Sequence, residues 1–450
     1  MAILRLENPR KAYSWGSTHS LQELLGETPD GTPLAEVWMG AHPSSSSRTE
    51  DGHALAELSE AGRIGYLLKL LSADRGLSIQ AHPSIEQAVA GYEDEERRGV
   101  PLDAPNRVYR DRNHKPELIV ALEPFWAMSG FRTLSQSCDA LGSLHLLHDT
   151  KVDSLSELLS AVLALPRERV AEVAGSEPIA AAPVPSKRPE GPIDDTLRLA
   201  WVGELYRQFG PDPGVFAPLF LNLIYLEPGE GLYQPSGVLH AYLRGTGVEV
   251  MANSDNVLRA GLTDKHVEPD ALQRVVAFTD EPPALVTPRV VKPSDPGARA
   301  EPRDPGAQLE PSDSGPQLES LCPARAPSCL QVYDTPAAEF RLYHLDLSGE
   351  ECEVLSPGLP LIALCISGDV VVDEVELGGM PYTGAIDDRR RSPTGAGIRS
   401  GGTGAVHAPP ATGSLTVSRG ASALITSDVR SFRVRGGGRL FVAAPGRSSL

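Results

Sequence analysis

The chain is expected to fold as a mainly β protein with a helical insert and two β-domains. Three observations predict this. Residues 1–130 and 328–450 consist of short apolar runs broken by Gly, Pro and Asp, the pattern of antiparallel strands and turns. Residues 134–210 instead carry Leu and Val at helical spacing. Residues 282–327 lose both patterns and collapse into Pro, Gly, Asp, Glu and Ser.

In the first region Ala35-Glu36-Val37-Trp38-Met39-Gly40 is a typical strand-like run. Ser84 to Arg98 is an exception, rich in Glu, Gln and Ala. Ser84 is a fitting N-cap with Gln87 three residues on, and Gly99 ends the helix. In the insert, Leu155, Leu158, Leu159, Val162 and Leu163 mark one helix, and Leu197, Leu199, Val202, Leu205 and Tyr206 another, with a Pro/Ala-rich loop from Ile179 to Pro192 between them. Strand pattern returns at Leu221–Leu226 and continues to Met251. The expected division is 1–133 with 211–281 as one β-domain, 134–210 as the insert, 282–327 as a linker and 328–450 as the second β-domain.

The linker contains three tandem nine-residue copies, Ser294–Pro302, Arg303–Pro311 and Ser312–Ser320, each with Asp second, Gly fourth and Glu eighth. So short and polar a period cannot form core-burying coils, and a disordered, solvated segment is expected. The runs Phe340–Leu345, Leu361–Ile366 and Arg439–Ala444 suggest a sandwich or jelly roll. Few potential ligands cluster there, and no catalysis is expected in it.

Forty-one basic against fifty-nine acidic side chains give a net charge of -18. That argues against bulk binding to nucleic acid or anionic membranes, while leaving room for an anionic small substrate in a locally basic cleft. The five cysteines show no Cys-x-x-Cys pair, and their scatter fits a reducing cytosol better than a disulfide framework. The N-terminus lacks the apolar core of a signal peptide, and no apolar run is long enough to span a membrane, so a cytoplasmic protein is expected.

The chemistry-bearing segment is Leu77-Ser78-Ile79-Gln80-Ala81-His82-Pro83. In a strand, Gln80 and His82 point to one face, aiming an amide oxygen and an imidazole at one point. Glu117, at a strand start after Pro116, and His240, after the Pro235–Gly237 turn, could complete a metal shell that keeps a position open for substrate. On chemistry alone His114 and His266 have neighbours just as polar. Cations stand nearby in sequence. Lys69 lies inside the apolar run Tyr66–Leu71, where it either snorkels or is paired or used. Lys115 is two residues before Glu117, and Arg259 and Lys265 flank Ala260–Thr263. Arg259 could equally pair with Asp255, four residues earlier. Ser78 shares the face of Gln80. A metal, a hydroxyl and several cations suit a phosphorylated sugar or polyol.

Five blocks then resemble the type I mannose-6-phosphate isomerases: Trp38–Pro43, Leu77–Pro83, Leu102–Asn106 leading to Asn113–Glu117, Gly237–Gly261, and the closing strand Leu440–Val442. The resemblance covers nearly the whole chain except 282–327. It implies a cupin-type (jelly-roll) β-barrel catalytic domain, a helical insert and a second cupin-like β-domain. It implies one zinc ion per chain, held by Gln80, His82, Glu117 and His240. It assigns catalysis to Arg259 with Lys69, Lys115 and Glu249, and places Ser78, Tyr242, Asp255 and Lys265 at the substrate. The implied reaction interconverts mannose 6-phosphate and fructose 6-phosphate through a cis-enediol, feeding GDP-mannose synthesis or mannose use. The base is open among Lys69, Lys115, Glu249 and a zinc-bound water. A monomer with a sugar phosphate as its partner is expected. The rivals are a non-catalytic metal- or sugar-binding cupin and an iron-dependent cupin dioxygenase. Asp264 departs from the Pro often found before the matched lysine, and the serine run Ser44–Ser47 and the repeats are unusual.

Overall fold

The computed structural model describes residues 3–59, 61–147, 150–185, 188–291, 319–320, 330–356, 358–375 and 413–446. Their apolar runs pair into two antiparallel sheets. In the first, the central order is Gly231–Gln234, Glu117–Ala121, His240–Ala252, Tyr66–Ala73 and Glu36–Gly40. Tyr66–Ala73 is buried along its whole length. Such burial on both faces explains its almost unbroken apolar sequence.

The strand His240–Ala252 shapes this domain. Its C-terminal half pairs with Tyr66–Ala73 and Glu117–Ala121. Its N-terminal half pairs instead with Phe125–Phe131 and, at His240, with Ile79–Ala81. The register shifts between Tyr242 and Arg244, and Gly245 follows at φ +131°. A strand that turns a corner through an irregularity serves two sheet faces and closes a barrel.

The insert forms helices Leu134–Ser143, Leu155–Leu163, Arg167–Ala174, Glu177–Ala180 and Asp195–Phe209. Thr133, Ser154 and Asp194 cap three of them through their side chains. Leu158, Val162, Trp201 and Leu205 share one core with Trp126, Phe131 and Leu223 of the barrel. Ser84 makes the expected capping box with Gln87 at the start of helix Ile85–Arg97.

The second sheet is built around Phe340–Leu355, Ser431–Pro445 and Leu361–Glu374. Ile3–Glu7 and Arg48–Thr49 join it, Ile3–Glu7 by pairing with Ser422–Ile425. These two segments, expected within the first domain, thus belong to the second sheet, because Ile3 and Leu6 bury against it while the edge strand gains a partner. Ala284–Val286 and Arg289–Val290, inside the expected linker, are strands on the edges of the two sheets. They are mostly exposed, so backbone pairing rather than apolar burial holds them, and hydrophobic pattern carries no trace of it. The nine-residue copies lie outside the described residues, except Glu319–Ser320, which pair with Val354–Leu355. Cys138 and Cys365 are free, whereas Cys352 is disulfide-bonded, which the scatter of the cysteines did not suggest.

The two β-domains share a core. Leu6, Val37, Tyr66, Leu68 and Leu118 pack in one cluster with Tyr333, Phe340, Leu364 and Phe441. The Tyr66 hydroxyl donates to the Ala443 carbonyl at 2.8 Å, so the buried polar tip is satisfied across the junction. No helix among the described residues is long and apolar enough to cross a membrane.

Candidate active site

Register alone brings the first residues together. His240 lies opposite Gln80, and Gln80 lies opposite Arg259 on its other side. Glu117 lies opposite Met251 and Gln234 at the neighbouring strand ends. His82, just past the end of Ile79–Ala81, completes a buried group with Glu117 and His240 whose ligand atoms all lie within 4.8 Å of one another. His82 Nε2 is 3.5 Å from Glu117 Oε1, and His240 Nε2 is 3.3 Å from Glu117 Oε2.

The outer nitrogens define the inner ones. His82 Nδ1 meets the Asn256 carbonyl at 2.8 Å and His240 Nδ1 meets the Val238 carbonyl at 2.9 Å. A carbonyl only accepts, so each Nδ1 carries the hydrogen and each Nε2 presents a lone pair inward. Burial pushes the His82 imidazole down to about 4, against the pull of Glu117, which keeps it neutral at pH 7. Burial would raise the Glu117 carboxyl, but Lys115 and the imidazoles hold it well below the usual carboxylate range. Yet His82 Nε2 and Glu117 Oε2 are buried without a hydrogen-bond partner. Two imidazole nitrogens and one carboxylate converging, with His82 Nε2 and Glu117 Oε2 left unsatisfied, fit a divalent cation of borderline softness such as zinc. The Gln80 amide stands at the edge of this group, 3.4 Å from His240 Nε2, and a half-turn of the amide offers its oxygen there.

Outside this group lies a cleft of two chambers, about 760 Å³ and about 650 Å³. Tyr13, Trp15, Arg259, Asp264 and Lys265 line both. Lys69, Lys115 and Asp255 line the first, and Ser78 and Gln80 the second. Of the expected site residues, the metal group His82, Glu117 and His240 lines neither, nor do Tyr242 and Glu249. Tyr242 is buried between His240 and Phe125, and Glu249 is buried opposite Lys69.

Both lysines are paired with buried carboxylates. Lys115 Nζ is 2.7 Å from Glu117 Oε1. Lys69 Nζ is 2.8 Å from Glu249 and 3.7 Å from Glu36. Burial would lower the Lys69 ammonium, but Glu249, Glu36 and Glu117 together hold it above its ordinary value. Lys69 is thus a paired cation rather than a snorkelling one. Burial raises the Glu249 carboxyl, with Lys69 opposing.

Arg259 is not paired with Asp255, whose carboxylate lies 3.7 Å from His42 Nε2. Burial lowers Arg259, and the neighbouring Arg110 adds to it. Burial also lowers Lys265, with Arg259 and Arg110 contributing. Arg110, Arg259 and Lys265 therefore crowd one another, and among the described residues none has an ion-pair partner, which is the electrostatic mark of an anion site. His114 and His266 are not part of the metal group, since His114 meets Glu339 at 2.7 Å and His266 meets Glu268 at 3.3 Å.

Sequence reasoning passed over Arg110, His42, Glu36 and the aromatic wall of Tyr13 and Trp15. Trp38 donates its indole N–H to Glu36 at 2.8 Å, and Ser44 of the serine run reaches His42 Nδ1 at 2.8 Å. The run Trp38–Pro43 was visible as a block, but neither periodicity nor spacing says that Glu36 lines the cleft or that His42 is buried behind it beside Asp255.

The model of the phosphomannose isomerase type I catalytic domain matches residues 3–134. A mannose-6-phosphate isomerase of Escherichia coli K12 is 37% identical over 317 residues, covering 64% of this chain and 78% of that protein. A mannose-6-phosphate isomerase of Bos taurus is 28% identical over 427 residues, covering 83% and 91%. A crystal structure of mannose 6-phosphate isomerase bound with zinc and yttrium superposes with a TM-score of 0.71 at 28% identity, covering 99% of this chain and 100% of that one.

Proposed function

The chain belongs to the type I mannose-6-phosphate isomerase family, and from that premise we propose that it interconverts mannose 6-phosphate and fructose 6-phosphate through a cis-enediol. The observation that carries this reading is the convergence of His82 Nε2 and Glu117 Oε2, both unsatisfied, beside a cleft lined by Arg110, Arg259 and Lys265. His82, Glu117, His240 and Gln80 would hold one zinc ion. The metal supplies Lewis acidity toward the sugar oxygens when bound.

The chain's own residues do the rest. Arg259 stands where both chambers meet and stabilises the anionic enediolate with a fixed charge. Lys69, pinned as an ammonium by Glu249 and Glu36, serves as a hydrogen-bond donor to the reacting oxygens and not as the base. Glu249 and Tyr242 act from behind, Glu249 by fixing Lys69. Lys115, paired with Glu117 at 2.7 Å, is a donor of the same kind, which leaves a water in the cleft as the proton acceptor. Lys265, Arg110 and Ser78 neutralise and anchor the phosphate, and Asp255 lines the first chamber with the buried His42 behind it. An intact donor set and unpaired cations favour this over a cupin with a decayed site. The net charge of -18 disfavours nucleic acid as a partner.

A coupled assay tests the reading. Mannose 6-phosphate supplied to the zinc-loaded protein should yield fructose 6-phosphate, chelation should abolish turnover, and added zinc should restore it. Absence of turnover in fully zinc-loaded protein refutes the reading.

A further inference from the structure

We propose that the second β-domain takes part in the reaction through Glu339, which positions Lys115 in the cleft by holding His114. This rests on the reading of the cleft as the substrate site. Glu339 stands at the start of strand Phe340–Leu355, and its carbonyl accepts from Gly446 N at 2.9 Å, so the sheet fixes its backbone. Its Oε1 lies 2.7 Å from His114 Nε2, with the two side chains only 12% and 21% exposed. Burial would raise the Glu339 carboxyl, but His114 holds it below its usual range, so the contact is a charge-assisted one.

The next residue is Lys115, whose ammonium lies 2.7 Å from Glu117 Oε1 and lines the first chamber. Pro116 restricts Lys115 to extended backbone. In extended chain, neighbouring side chains diverge, so a fixed His114 on the outer side sets where Lys115 points on the inner side. The loop is held from its other flank as well. Asn113 donates to the Asn253 carbonyl at 3.2 Å, and Asn256 donates to the carbonyls of Asp111 and Asn113 at 2.9 and 2.8 Å. That flank is part of the metal group's own support, because the Asn256 carbonyl also accepts from His82 Nδ1. Glu339 supplies a second anchor from the other domain. A flexible lysine depends on its Cα for placement, and small misplacements of a catalytic group lower the rate steeply.

Two variants test the role. Glu339→Gln keeps an acceptor oxygen for His114, and Glu339→Ala removes it. Glu339→Ala should lower kcat on the order of tenfold with little change in KM or thermal midpoint, and Glu339→Gln should restore most of the loss. A second readout needs no turnover. With Co(II) loaded into the metal-free protein, the visible absorption bands should shift in Glu339→Ala and not in Glu339→Gln, because Lys115 no longer bears on the ligand Glu117. Wild-type kcat and an unmoved cobalt spectrum in Glu339→Ala overturn the proposal. Equal losses in both variants that track a lower thermal midpoint overturn it too. Should the wild-type protein turn over no mannose 6-phosphate, the function reading fails while the cobalt comparison still decides the positioning role.

Discussion

At His82 and His240, the hydrogen bond on one ring nitrogen decides what the other can do. Each Nδ1 is committed to a backbone carbonyl, so each Nε2 is left as a lone-pair donor facing Glu117. Arg259 is different in kind, lining the cleft opposite Gln80 without a partner among the described residues. The two classes should separate by experiment. His240→Ala should lose zinc and activity together. Arg259→Ala should retain one zinc per chain and lose roughly a hundredfold or more in kcat, the scale of removing a fixed charge from a developing oxyanion. Metal analysis alongside steady-state kinetics checks both, and an Arg259→Ala protein that turns over normally sinks its assignment. At this scale the sequence was legible where residues are two apart. Gln80 and His82 could be read as a pair, whereas Glu36 and Arg110 reach the cleft from separate segments with no local signature.

Among the elements, His240–Ala252 carries the most, since it bears His240 at one end and, past a corner, sets Glu249 opposite Lys69. The corner depends on Gly245. At φ +131°, an added Cβ would lie 2.7 Å from the Pro124 carbonyl oxygen and 2.7 Å from the Phe125 ring. Gly245→Val should therefore destabilise the protein by about 2–4 kcal/mol through backbone strain and overpacking. Thermal unfolding measures this, and an unchanged midpoint would show that the corner tolerates a side chain. Helices were the more legible elements. Ser84 with Gln87 announced a capping box, and the leucine spacing announced the insert. The strands at Ala284–Val286 and Arg289–Val290 were not legible, because exposed edge pairing asks only for a backbone.

For the whole molecule, the shared core around Tyr66 and Phe441 couples the two β-domains. Each domain also carries a histidine that burial disfavours as a cation, His82 fully buried and His344 half-buried. Burial lowers both His82 and His344 to about 4 from 6.5. Between those values the unfolded chain binds more protons than the folded one, so stability falls as pH falls from 6.5 to about 4 and these residues add no further loss below that. For the fully buried His82 the loss is up to about 3 kcal/mol. The metal-free protein should unfold in one calorimetric transition whose midpoint declines over this window. His344→Phe should lessen the decline of that same single transition. Two transitions responding separately would show that the domains are energetically independent.

The sequence by itself determined the β character, the helical insert, the face shared by Gln80 and His82, and the family, because these are written in local periodicity, capping and short ordered blocks. Only the tertiary structure decided which histidines converge. His114 and His266 were as polar as His82 and His240, and register across His240–Ala252 separated them. It also showed that Lys69 is held as a cation by carboxylates far along the chain, and that a residue of the second domain, Glu339, reaches the loop before Glu117. Pairing over long sequence separation has no local code, since any strand end can present a carboxylate and packing alone selects which one meets the lysine or the imidazole.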